Sequence, residues 1–226
     1  LAEANRVLKE DLFAEDKNLR DTFLSRESLV PLDHRNFSNL TIKDFQFRAS
    51  VQLTAGIIKA ESFADLYTEF LNQRISWLAN DFVADKNWKV DFFIAAMGSF
   101  GSSELSFTSD IDLVFVVRSI QSYPDIQKDF QKLLQIFKDN LSGLEIDCRL
   151  RPEGKGSQLV WDIEDYKKYF SHRARIWELQ AFTKCRLIIG DGKLFSNFYN
   201  HYVQTIKEKD TELIKKEIFE MRKKLY

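Results

Sequence analysis

The stretch DIDLVFVV, from Asp110 to Val117, constrains the fold more than any other. A short apolar run of this kind, with two carboxylates at its head, reads as a strand anchored in a sheet. Residues i and i+2 of a strand point to the same face. Asp110 and Asp112 therefore project together, while Ile111 and Leu113 point into the core. A strand needs partners. WKVDFFIAAMG (Trp88 to Gly98) is a second apolar run, closed by glycine, and LEIDCRLRP (Leu144 to Pro152) alternates cleanly as a third strand with one apolar face.

Helical spacing fills the rest of the chain. Apolar residues recur at three- and four-residue intervals from Ile42 to about Leu78, with Gly56 marking a break or a close contact. Ile126, Phe130, Leu133, Phe137 and Leu141 line one helical face between Asp125 and Leu141. The segment from Asp162 to Gly190 reads as one long helix, with Asp162 as N-cap and Gly190 as stop. The last segment, from about Leu194, is mostly helical. Leu1 to about Ser28 also fits helical spacing, and Pro31 to Thr41 reads as a loop. The expected class is α+β: a helical N-terminal part over 1–80, then 81–226 with a small mixed sheet and C-terminal helices. The chain begins with Leu1 and ends on a charged helix-like stretch, so it is expected to be a piece of a longer polypeptide.

The formal net charge of −1 over 226 residues offers no overall basic excess for a nucleic-acid backbone. No run of about eighteen apolar residues suggests a membrane span. The two cysteines, Cys148 and Cys185, form no CxxC pair and no disulfide framework. A reducing cytoplasm is the simplest reading, with Cys148 as a small core residue. His34, His172 and His201 show no ligand spacing with the cysteines, which argues against zinc.

The candidate chemistry gathers around the strand heads. Two neighbouring carboxylates repel, and a cation between them relieves that repulsion. Hard oxygen donors suit Mg²⁺, which holds one or two carboxylates together with substrate phosphates. On the polar face of LEIDCRLRP, Asp147 can complete a three-carboxylate cluster or act as a base. Arg149 and Arg151 on the same face suit phosphate. The loop GSFGSS precedes the acidic pair. Gly98 and Gly101 permit close backbone approach, Ser99, Ser102 and Ser103 add hydroxyl donors, and successive N–H groups form an anion nest. A nucleoside triphosphate fits there, its α-phosphoryl attacked with release of pyrophosphate. Each element alone is ordinary: a turn, a solvated strand edge, a polar-face residue. Their conjunction favours a site.

Gly98, Ser99, Asp110, Asp112 and Asp147, in that order, resemble the nucleotidyltransferase superfamily of the polymerase β type. GSFGSSELSFTSDIDLVFV, IDCRLRPEGKGSQLV, IWELQAFTKCRLIIGD and EMRKK are similar to the glutamine synthetase adenylyltransferase family, also called glutamate–ammonia-ligase adenylyltransferase. The likeness spans about Ile42 to Lys224. Ser99 stands where that family usually has Lys, and Ser102 where it has the last Gly. The resemblance implies a polymerase β-like core flanked by N- and C-terminal helices. It implies an enzyme that uses ATP and Mg²⁺ (or Mn²⁺) to move AMP onto a tyrosine of glutamine synthetase. Asp110, Asp112 and Asp147 are then the catalytic and metal-holding set. Gly98, Ser99, Gly101, Ser102, Ser103, Arg149 and Arg151 bind nucleotide. Glutamine synthetase is the protein partner, and a nitrogen-signalling regulatory protein a further one. Phosphorolytic removal of the same AMP is the close alternative, and a nucleotide-sensing module without chemistry the distant one. An enzyme acting on a small molecule or RNA is a third class. Trp177, Glu178, Gln180, Lys184 and Arg186 are weighed as substrate contacts against helix packing and solvated charge.

Overall fold

The computed structural model describes residues 30–225, which divide into two compact units. The expected helix over Leu1–Ser28 lies outside the described residues. One unit comprises residues 30–73 with Ser103–Thr108; the other comprises Arg74–Ser102 and the chain from Ser109 onward.

In the first unit, helix α1 (Ile42–Thr54) is followed by the start of α2 (Ala60–Lys86), with Gly56 in the break between them. Thr41 and Asp44 form a reciprocal capping box that fixes where α1 begins. Aromatic rings make the core. Phe45 stacks on Phe70 with centroids 4.4 Å apart, and Phe37 meets both rings edge-on. The buried Gln52 amide accepts from the Leu32 N–H and donates to the Val30 carbonyl, tying the preceding loop to α1. Phe107 lies against Phe63, at 4.4 Å between centroids.

The second unit is built on a mixed five-stranded sheet. Its strands are β1 (Phe92–Ala96), β2 (Ile111–Val117), β3 (Ile146–Asp147), β4 (Val160–Asp162) and β5 (Arg186–Gly190). β1 lies between β2 and β5, antiparallel to both. β3 runs parallel to the head of β2, and β4 parallel to its tail. Between the strands come α3 (Gly98–Gly101), α4 (Ile126–Asn140), α5 (Ile163–His172) and α6 (Ile176–Ala181), and after β5 come α7 (Gly192–Glu208) and α8 (Thr211–Leu225).

Both sheet faces are covered, which is why β2 is apolar beyond Asp112. On one face Phe130 of α4 packs against Phe92 and Phe115. On the other, Phe93, Ala95, Val114 and Val116 share a core with Tyr166 and Phe170 of α5 and Phe198 of α7. Asp112 is two residues before Val114, so it heads this second face. The sheet, the α+β class and the flanking helices agree with the sequence reading. Among the described residues no helix is long and apolar enough to cross a membrane.

Two elements differ from expectation. LEIDCRLRP does not continue as a strand: only Ile146 and Asp147 pair with β2. Arg149 turns back to the Asp147 carboxylate, and Arg151 donates to the carbonyls of Cys148, Lys155 and Ser157. These local bonds fold the chain into a loop and outcompete the ladder that the alternation suggested. Cys148 is buried there, as a core residue should be.

The stretch from Asp162 to Gly190 is not one helix. Asp162 does cap α5, accepting from the Glu164 N–H, and also holds the Ile120 N–H. The helix ends at His172, restarts at Ile176, and RLIIG becomes β5, with Gly190 closing that strand. The free edge of β1 offers this β-branched run a full set of partners, and pairing overrides the helical spacing. β4 was not foreseen at all.

Candidate active site

The site grows from the head of β2. The parallel register sets Asp112 directly beside Asp147, with Ile111 beside Ile146. Only Ile111 separates Asp110 from Asp112, and Asp110 is near enough for its charge to act on the Asp112 carboxyl. Burial, then the charges of Asp147 and Asp110, push Asp112 up to about 6, with Arg149 pulling the other way. Burial also works against the charged form of Asp147. The hydrogen bonds and charge of Arg149 outweigh it and hold Asp147 below the usual carboxylate range. The Arg149 Nε–Asp147 Oδ2 distance is 2.6 Å, and the Arg149 N–H donates to Oδ1 at 2.7 Å.

The glycine loop is a single helical turn, α3, wedged against this pair. The Met97 N–H donates to the Asp112 carbonyl at 2.9 Å, fixing the loop to β2. Gly98 has φ +55°, and a Cβ there would lie 2.3 Å from Asp112 Oδ2. The Asp112 carboxylate thus rests on the bare backbone of Gly98, a position only glycine fills without strain. The Ser102 hydroxyl donates back to the Gly98 carbonyl at 3.1 Å. The Ser99 hydroxyl is half-buried and has no hydrogen-bond partner among the described residues. Ser103, at φ +58°, is where the chain leaves this unit.

Sequence reasoning left Arg186 undecided between phosphate contact and a solvated face. In β5 it does something else. Its Nη2 donates to the Phe100 carbonyl at 2.9 Å and its Nε to the Gly101 carbonyl at 3.2 Å, with the guanidinium over the Phe100 ring. Arg186 therefore braces the glycine turn from behind. The signal was the β-branched run after it, which marks a strand beside the loop's own strand. Arg186→Ala should lower Tm by about 5 °C, since a hydrogen bond to a charged donor contributes roughly 1.5 kcal/mol or more. Circular dichroism should be unchanged, and Arg186→Lys should recover part of the loss. An unchanged Tm for the Ala variant would show that the turn holds its shape without Arg186.

The donor set fits Mg²⁺ as a pair rather than a cage. Among the described residues no group of three His, Cys, Asp or Glu side chains is placed to hold one metal ion, and the Asp147 carboxylate is engaged by Arg149. Asp110 and Asp112 remain as two hard oxygen donors whose mutual repulsion a cation relieves. Mg²⁺ commonly keeps waters and substrate phosphates beside one or two carboxylates. Of the predicted nucleotide-binding residues, Gly98, Ser99, Gly101 and Ser102 gather at this point. Arg149 is exposed beside Asp147, whereas Arg151 is folded onto its own loop. Glu178 accepts from the Tyr169 hydroxyl and the Arg175 N–H. Lys184 contributes its carbonyl, which packs where a Cβ of Gly101 would be. The histidines lie elsewhere, His172 bonded to the Lys168 carbonyl and His201 to Ser171.

The family model described as Glutamate-ammonia ligase adenylyltransferase matches residues 47–201. Three relatives carry the name bifunctional glutamine synthetase adenylyltransferase/adenylyl-removing enzyme. That of Nitrosomonas europaea is 31% identical over 193 residues, covering 79% of this chain and 20% of the relative. That of Vibrio parahaemolyticus is 33% identical over 158 residues, covering 63% and 17%. That of Bifidobacterium longum is 26% identical over 175 residues, covering 72% and 16%. The chain thus spans a fifth or less of the length of the curated relatives it matches.

Proposed function

The chain belongs to the glutamate–ammonia ligase adenylyltransferase family, and from that premise we propose that it moves AMP between ATP and a tyrosine of glutamine synthetase. The observation that carries this reading is the register pair Asp112–Asp147 with the backbone of Gly98 against Asp112. A glycine turn against neighbouring carboxylates supports the reading, because phosphoryl transfer needs an anion cradle and a metal-holding pair side by side. Asp110 and Asp112 would hold Mg²⁺, which when bound neutralises charge on the triphosphate and relieves the repulsion between them.

The chain's own groups do the positioning. Backbone N–H groups of the turn and the Ser99 hydroxyl receive phosphate oxygens. Arg149 keeps Asp147 ionised and adds a positive charge beside the reacting centre. Asp147, ionised and next to Asp112, accepts a hydrogen bond from the incoming tyrosine hydroxyl and orients it for attack on the α-phosphoryl group. The ester bond to the tyrosine forms as the bond to pyrophosphate breaks, and the hydroxyl proton passes to the Asp147 carboxylate. In the opposite direction the same groups would hold AMP-tyrosine for attack by phosphate, and the relatives' name covers both directions.

One assay tests both. The chain is incubated with α-labelled ATP, Mg²⁺ and glutamine synthetase, and separately with labelled AMP-glutamine synthetase and phosphate. Label is expected to enter or leave the synthetase on tyrosine. ATP binding with transfer in neither direction would replace this reading with a nucleotide-sensing module.

A further inference from the structure

A cleft of about 460 Å³ is lined by Arg149 and formed by the Arg149–Gly154 loop, the end of α5 and α6. Its lining has four arginines and two glutamates, an excess of positive charge. The positive members reach it differently. Arg149 is held by Asp147, and Arg173 pairs with Glu153 and lies over the Tyr169 ring. The Arg175 guanidinium is exposed and forms no ion pair among the described residues. Neither glutamate is free to cancel it: Glu153 is taken by Arg173, and Glu178 is tied to Tyr169 and the Arg175 N–H.

The cleft also has an apolar wall. Trp177 stands 44% exposed at its rim, although most large apolar side chains of this unit are buried. Leu150, Tyr169 and Ala181 extend that wall. An exposed tryptophan two positions from an arginine with no ion pair is the composition of a recognition surface rather than of a solvated face. The volume is several times that of a phosphate ion, and the apolar wall gives a free anion nothing to bind. An aromatic side chain flanked by acidic residues satisfies both halves: the ring packs on Trp177 and Tyr169, and a carboxylate meets Arg175.

We propose that this cleft docks the acceptor segment of the protein substrate, an acidic stretch of chain around the tyrosine that receives or gives up AMP. The proposal rests on the AMP-transfer reading for its choice of tyrosine. Arg149 is the link, because it borders the cleft on one side and grips the Asp147 carboxylate on the other. A tyrosine entering along the Trp177 wall therefore arrives beside Asp147.

The test uses the intact chain and a fluorescein-labelled peptide with one tyrosine between glutamates, read by anisotropy, so that it needs no turnover. The wild-type chain is expected to bind the peptide, and binding should weaken at least tenfold from 50 to 200 mM salt. It should weaken at least tenfold in Arg175→Glu and severalfold in Trp177→Ala. A lysine-flanked peptide should bind at least tenfold more weakly than the acidic one. A fluorescent ATP analogue should bind both variants within twofold of wild type. Both side chains are exposed, and circular dichroism checks that the variants fold. Equal peptide affinity in wild type and Arg175→Glu, or no peptide binding at all, would overturn the proposal. So would loss of ATP-analogue binding with peptide binding intact, which would make the cleft a nucleotide site. Failure of the AMP-transfer reading would show separately, as absence of transfer to glutamine synthetase by a chain that still binds the peptide.

Discussion

The Asp112→Asn variant is expected to lose AMP transfer by about 10³-fold while melting higher than the wild-type chain at pH 8. The loss follows from removing one of two candidate metal donors, whose electrostatic contribution to phosphoryl transfer amounts to several kcal/mol, each 1.36 kcal/mol being tenfold. The gain follows from the raised carboxyl. Folding moves Asp112 from 3.8 to about 6, so the fold disfavours the ionised form. Below pH 3.8 the group is protonated in both states and folding carries no such penalty. As pH rises through 6 the penalty grows to its full size and then stays constant. Two pKa units convert to about 3 kcal/mol, and screening at a half-exposed group cuts this to about 1 kcal/mol. For a chain of this size that is a rise of about 3 °C in Tm. The asparagine variant should show that advantage at pH 8 and none near pH 4, measured by calorimetry without nucleotide or metal. A variant that melts lower than wild type at pH 8 would mean that Asp112 stabilises the empty site.

The two loop glycines should fail in different ways, and this is the second large effect. A Cβ at Gly101 would lie 1.8 Å from the Lys184 carbonyl oxygen and 2.9 Å from that of Ala96. Those are main-chain atoms of two neighbouring segments, so neither can rotate away. Gly101→Ala should cost about 3 kcal/mol by overpacking and lower Tm by on the order of 10 °C. At Gly98 the obstacle is the Asp112 side chain, which can swing aside. Gly98→Ala should cost only about 1–2 kcal/mol, chiefly from an alanine at φ +55°. Its transfer rate should fall by about 10²-fold, because the displaced carboxylate no longer stands beside Asp147. Thermal melts and initial rates on both variants separate the cases. A Gly98→Ala chain with wild-type activity would show that the contact between Gly98 and Asp112 is incidental.

Much of this was legible in the sequence because it rests on local rules. The alternation of strand side chains predicts Asp110 and Asp112 on one face, and an apolar run predicts the buried strand behind them. Capping chemistry locates the start of α5 at Asp162. What was not legible depends on partners distant in the chain. RLIIG fits a helix as well as a strand until the open edge of β1 is available. Arg151 alternates correctly for a phosphate-facing strand residue, but the carbonyls of Lys155 and Ser157 offer it nearer acceptors. Arg186 became interpretable only when β5 placed it behind the glycine turn, 85 residues away in sequence. The proposed substrate comes from the resemblance to a family, since no spacing or pattern contains it.

The brevity of β3 has a consequence for how the site comes apart. Asp112 is carried by a seven-residue strand clamped from both sides, with Asp110 just before it, whereas Asp147 belongs to a ladder of two residue pairs. A ladder that short opens at little cost, long before the sheet does. The acidic cluster is thus half permanent fixture and half hinged leaf. Amide exchange at Ile146 and Asp147 should run far ahead of exchange at Val114 and Val116, and a substrate that bridges the two halves should slow the first pair alone.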